Sequence, residues 1–344
     1  MYYIIGRIIH FSINNIKVCP NMIAVNNIKL KRINLLVAKY CNLRCRMCDY
    51  RINTIITKQL SFEQISTLLN EAADMGLELL ELSGGEPMTR KDIFDIINLS
   101  RDLKVKTLMM TNGVLIDEKQ AKNLVDCGLN GVVISLEGFE ELNDKLRGQG
   151  SYIKALNAIK YFQKYADKMD IIKVGITLSK YNYQSINQFI KYLVEEIGVR
   201  FISINPFNGN MLYEKNLEKR KEEFEITQYF IPYLKDELEK LIAYSKEAKI
   251  EIPPENYLMK IPRYFLGESM VPELGCSEPV FGCSIDSNGG VYPCWGDPVK
   301  TGNIKVDSIK NIISSDLYME FCNNAADGKC KGCLAACHSH AHTE

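Results

Sequence analysis

The sequence predicts an α/β protein: a partial (β/α)6 barrel of parallel strands, followed by a smaller cysteine-rich C-terminal domain. Three observations predict it. Between residues 33 and 205, short apolar runs alternate with amphipathic stretches. The loops after the apolar runs carry glycine pairs, polar side chains and a C-x3-C-x2-C cluster. Of twelve cysteines in 344 residues, seven lie beyond residue 275.

The alternation is read element by element. INLLVA (33–38) is a buried strand. SFEQISTLLNEAADMG (61–76) is a helix, with Ser61 and Gln64 at capping-box spacing and Gly76 as its terminator. LELLELS (77–83) is the second strand and KDIFDIINLSRDL the helix after it. KTLMMT (106–111) precedes a helix over 120–128, with Asp117 and Gln120 at its start. GVVISLE (131–137) precedes a helix over 151–166. DIIKVGITL (170–178) and VRFISIN (199–205) are the last two strands, with a helix over 185–198 between them. Alternation of this kind implies parallel strands joined by right-handed crossovers. In such folds the reactive residues come from the C-terminal ends of the strands. Residues 206–275 read as a helical linker region, with a helix over 214–247 whose apolar stripe is core packing.

Composition narrows the function. Lys+Arg and Asp+Glu both number 42, so the charge balance supports neither a nucleic-acid partner nor a membrane surface. Residues 1–32 read as an N-terminal arm without signal-peptide pattern, and no apolar run reaches the roughly 18 residues of a membrane span. A cytoplasmic protein is expected, where thiols stay reduced and clustered cysteines bind metal or catalyse.

Cys41, Cys45 and Cys48 follow the first strand. Thiolates select zinc, Cu(I) or iron–sulfur clusters, and a closed zinc site wants four ligands. Three cysteines alone suit a [4Fe–4S] cube with one iron left open. Further along the same rim come Ser83-Gly84-Gly85-Glu86-Pro87, Thr111-Asn112-Gly113 and Ser135-Leu136-Glu137-Gly138. The cysteine spacing followed by GGEP after the second strand resembles the radical S-adenosylmethionine (radical SAM) superfamily over about residues 33–205. The resemblance implies that Cys41, Cys45 and Cys48 hold a [4Fe–4S] cluster whose open iron chelates SAM. It implies SAM contacts at Gly84, Gly85, Glu86 and Pro87, at Asn112, Ser135 and Glu137, and at Met47 near the adenine. The implied chemistry is reductive cleavage of SAM and hydrogen abstraction by a 5′-deoxyadenosyl radical.

The C-terminal region, 276–344, resembles the SPASM or shorter Twitch extension of that superfamily, which holds auxiliary [4Fe–4S] clusters. Cys276, Cys294, Cys330 and Cys333 match the spacing best; Cys283, Cys337 and Cys322 are alternates. A structural zinc site is the bland alternative. Asp297 and Cys322 are candidate catalytic residues, Cys322 as a hydrogen-atom donor. Tyr292 and Trp295 line a pocket or pack. The histidines of HSHAHTE read as a tail. Cys127 reads as a small buried hydrophobe, and Cys19 lies in the arm.

The resemblance implies an oxidoreductase acting on a peptide or protein residue, with a flavodoxin or ferredoxin as electron donor. A redox-neutral epimerase, or a dehydrogenase of a small sugar or antibiotic precursor, is the alternative enzyme. A non-catalytic iron–sulfur or zinc scaffold is the alternative of another class.

Overall fold

A computed structural model describes residues 28–48, 59–208, 217–272, 275–294, 296–330 and 332–334. Cys19, Trp295, Cys337 and the three terminal histidines lie outside the described residues.

The strand–helix alternation folds as predicted. β1 (Arg32–Ala38), β2 (Leu79–Gly84), β3 (Lys106–Thr111), β4 (Gly131–Ser135), β5 (Ile171–Leu178) and β6 (Phe201–Pro206) are parallel neighbours in sequence order. Between them run α1 (Phe62–Asp74), α2 (Ile93–Asp102), α3 (Glu118–Asp126), α4 (Glu140–Arg147), α5 (Ser151–Gln163) and α6 (Ile186–Glu195). The capping box of α1 forms in both directions between Ser61 and Gln64. Asp117 caps α3 through the Gln120 N–H at 2.7 Å.

Each strand divides its residues between two faces. Ile33, Leu35, Leu80, Leu82, Met109, Val132, Ile134, Val174, Ile176, Ile202 and Ile204 are buried with the apolar stripes of the helices in one core. The alternate positions, among them Asn34, Glu81, Ser83, Val133, Ser135, Lys173, Ser203 and Asn205, are half-buried on the other, concave face. A half-polar concave face beneath loops at the strand ends is a chamber suited to a ligand.

Three features were not legible in the sequence. α4 is an extra helix in the loop after β4, hidden because its eight residues are nearly all charged or polar. The helix expected over 214–247 is broken. α7 (Leu217–Phe224) ends before a short 3-10 turn, and α8 (Ile231–Ala248) restarts with proline in its first turn. The cysteine-rich segment extends the same sheet. β7 (Gly282–Ile285) pairs parallel with β1, and β8 (Gly290–Tyr292) and β9 (Gly302–Asn303) follow antiparallel. α9 (Ile309–Ile313) and α10 (Asp316–Ala326) pack behind them, with the Tyr318 hydroxyl donating to the Pro279 and Gly282 carbonyls. Arg32 of β1 pairs with Glu278 at the head of β7. Among the described residues, no helix is long and apolar enough to cross a membrane.

Candidate active site

Two cysteine groups emerge, at opposite ends of β1. The first follows the C-terminal end of the strand. Cys41 and Cys45 are buried and Cys48 is half-buried. The loop is held by backbone contacts to its neighbours: Gly85 N–H donates to Ala38 O at 2.7 Å, and Glu86 N–H to Tyr40 O at 2.8 Å. This contact demands glycine. A Cβ on Gly85 would overlap the Tyr40 carbonyl, and Gly84 combines a φ of +112° with close approach to Ala38. The GG pair therefore clamps the second loop onto the cysteine loop, beyond ordinary turn chemistry.

Glu86 is 1% exposed and its carboxylate is fully used. It accepts from the Thr111 hydroxyl at 2.7 Å, Asn112 N–H at 2.8 Å and Met88 N–H at 3.2 Å. Burial pushes its pKa up against those donors. Glu86 thus ties the β2 loop to the β3 loop. Pro87 opens the short 3-10 turn that follows. Asn112 carries the tie onward: its Nδ2 donates to Asn42 Oδ1 at 2.8 Å and lies 3.8 Å from Cys41 Sγ. Leu43 N–H also points at that sulfur, at 3.4 Å.

Glu137 is wholly buried. Its carboxylate accepts from Arg147 Nε at 2.9 Å and Nη2, and from Thr177 N–H at 2.7 Å. Arg147 in turn brings its positive charge beside Cys45 and Cys48, and its carbonyl accepts from Cys45 Sγ at 3.8 Å. Sequence reasoning missed Arg147; the only signal was an arginine before Gly148 in a loop of the same rim. Ser135 ends β4 half-buried on the concave face. Met47 packs on a small cluster of Leu146, Phe207 and Phe224. Arg46 reaches across to Glu223 at 2.7 Å and stacks over Tyr181.

Burial pushes the Cys41 thiol up to about 11 and the Cys45 thiol upward. Neither sulfur ionises easily alone, and a metal centre supplies the missing positive charge. Among the described residues, no three His, Cys, Asp or Glu side chains converge on a point that would hold one ion. An all-thiol set of three, dressed by Asn112, Leu43 N–H and Arg147, fits an iron–sulfur cluster, whose thiolates are spread over several irons.

The second group lies by the N-terminal end of β1, where Lys31 N–H donates to Phe281 O at 2.8 Å. One cavity is lined by Cys276, Cys294, Cys330 and Cys333, with Gly296 and Asp297 beside them. The Cβ position of Gly296 is 3.7 Å from Cys294 Sγ and 3.8 Å from Cys333 Sγ, and its N–H donates to Cys294 Sγ at 3.3 Å. Four thiols around one hollow fit a second [4Fe–4S] cluster. Asp297 is half-buried at its edge. The alternates stand apart. Cys283 and Cys322 are buried in the core outside this lining, each pushed up to about 12 by burial, and Cys322 Sγ donates to Pro279 O at 3.6 Å. Tyr292 donates to Asp286 at 3.0 Å. Cys127 packs half-buried at the end of α3.

Comparison with known proteins agrees with this architecture. Residues 35–193 match the radical SAM superfamily, and residues 276–334 match SPASM, an iron–sulfur cluster-binding domain. An Fe-coproporphyrin III synthase of Methanosarcina barkeri is 35% identical over 46% of this chain, an alignment that spans only 40% of that relative. An AdoMet-dependent heme synthase of the same organism is 26% identical over 79% of this chain and 78% of its own length. The crystal structure of Streptococcus suis SuiB bound to precursor peptide SuiA shares the fold, with a TM-score of 0.69, 18% identity and coverage of 90% of this chain and 73% of that one. Residues 35–193 form a radical SAM domain and residues 276–334 a SPASM domain. The two domains together define an enzyme of the SPASM-bearing radical SAM kind and imply SAM and [4Fe–4S] clusters as its cofactors.

Proposed function

We propose that the protein is a radical SAM oxidoreductase that removes a hydrogen atom from a peptide or protein residue held against the concave face of the sheet. The observation that carries the reading is the convergence of the β2 and β3 loops on the cysteine loop through Gly85, Glu86 and Asn112. Cys41, Cys45 and Cys48 would hold the SAM-binding cluster; Cys276, Cys294, Cys330 and Cys333 would hold an auxiliary one. A reduced cluster with SAM bound would supply hydrogen-abstracting radical chemistry, its one electron being spent on cleaving SAM. The chain's own residues do the rest. Asn112 and Leu43 N–H hold the Cys41 sulfur, and Arg147 sets the charge beside Cys45 and Cys48. Gly84 to Pro87, Asn112, Ser135 and Met47 border the place for SAM, with Glu137 fixing Arg147 from behind. The buried loops exclude water, which protects a reactive intermediate. A small acidic protein such as flavodoxin or ferredoxin is the proposed electron donor.

The fold shared with SuiB, crystallised with its precursor peptide, supports a peptide substrate. The likeness to a heme synthase over 79% of this chain and 78% of that one favours a second reading, a tetrapyrrole. Fractionation separates them. Reconstituted enzyme, SAM and dithionite are incubated with size-separated cell extract, and 5′-deoxyadenosine is quantified. The peptide reading predicts a stimulating fraction that protease treatment destroys. A stimulating fraction that survives protease and absorbs near 400 nm would replace it with the tetrapyrrole reading.

A further inference from the structure

Among the described residues, the concave face holds a cation with no hydrogen bond or ion pair, two positions along its strand from the level of Ser135. Along β5, Val174, Ile176 and Leu178 are buried against the helices, so Lys173, Gly175 and Thr177 face the concave side. Lys173 lies opposite Val133 of β4 and Phe201 of β6. Gly175, the next position on that face, lies opposite Ser135 and Ser203. A Cβ on Gly175 would meet the side chains of both Val133 and Ser203, so the three strands share this surface. Lys173 therefore stands roughly 6.6 Å along the strand from the level of Ser135, at 3.3 Å per residue.

The other charged groups of this face are matched. Arg32 pairs with Glu278 and lies 3.9 Å from Glu81. Lys106 pairs with Asp170 at 3.3 Å. Among the described residues the Lys173 ammonium has no hydrogen bond and no ion pair; Glu81 and Glu251 act on it only through space, and burial lowers its pKa. A half-buried ammonium without a hydrogen-bond acceptor costs free energy, and a bound anion reduces that cost. Its neighbours Val133 and Phe201 are apolar, which strengthens a charged contact.

We infer that Lys173 receives a carboxylate of the substrate and so orients it beneath the SAM residues. This rests on the reading of the concave face as the substrate chamber. An acidic side chain of a peptide and a propionate of a porphyrin present the same group.

Holoenzyme reconstituted with iron and sulfide, and loaded with SAM, is titrated calorimetrically with paired probes. One pair is iron-coproporphyrin III and its tetramethyl ester. The other is a glutamate-containing octapeptide and its glutamine counterpart. The wild-type protein is expected to bind a carboxylate probe at least about tenfold more tightly than its neutral partner. Lys173→Met should lose that preference, and Lys173→Arg should keep most of it. The pair that shows the preference identifies the source of the carboxylate. No preference in either pair, or its survival in Lys173→Met, overturns the inference. 5′-Deoxyadenosine measured in the same preparations separates the two failures. Its formation without a carboxylate preference removes the role of Lys173 and leaves the enzyme reading standing; its absence removes that reading.

Discussion

Arg90 and Asp92 show how single side chains hold the site. Arg90 is 5% exposed, and its Nη1 donates to Val37 O at 3.0 Å and Leu60 O at 2.9 Å. It thereby joins the end of β1 to the chain that precedes α1, on either side of the cysteine loop. Asp92 accepts from Arg90 Nε at 2.8 Å and Nη2 at 2.6 Å, and these bonds hold its carboxyl below the ordinary 3.8. A depressed acid contributes stability that is present above its unfolded pKa and lost as pH falls through the folded one. Asp92→Asn is expected to cost ~1–2 kcal/mol in urea unfolding of the apo-protein at pH 7. That difference should start to shrink as pH falls past the ordinary 3.8 and be gone only below the depressed value of the folded protein. A gap that persists unchanged in acid would show that Asp92 works through packing. Neither residue was marked in the sequence, because a local Arg-x-Asp pair becomes meaningful only when distant carbonyls surround it.

Elements were legible where local chemistry and tertiary need coincide. The capping signals of α1 and α3 and the apolar runs of β1 to β6 were readable because alternation and caps are written within a few residues. Of the site, Cys41, Cys45, Cys48 and the GGEP loop were readable as spacing. Arg147, Asn42 and Lys173 were not, since their meaning lies in neighbours from other strands. The C-terminal elements were equally obscure: β7 has four residues, and it exists because β1 offers it an edge. Gly275 is a case in point. Its φ is +76°, and a Cβ there would overlap the Ala326 carbonyl, next to Cys276 N–H donating to Ala325 O at 2.8 Å. Gly275→Ala should displace Cys276 from the four-cysteine cavity. Reconstituted protein is then expected to carry about four irons per chain where the parent carries about eight, counting one cube per site. An unchanged iron content would remove Cys276 from the ligand set.

At the scale of the whole molecule, β1 is the axis on which both cysteine groups are placed. The rim group follows its C-terminal end, and the cavity group lies by its N-terminal end, with the half-polar concave face running between them. Such a layout sets the two proposed centres apart along one strand. It also makes the two centres separable, so that SAM cleavage should depend on the rim group alone. The most direct test is the yield of 5′-deoxyadenosine from anaerobically reconstituted protein given SAM and dithionite, compared with a Cys41/Cys45/Cys48→Ala variant. Product from the wild type and none from the variant is the predicted result. A fully iron-loaded wild type that makes no 5′-deoxyadenosine, or a variant that makes as much, would contradict the assignment of those three cysteines.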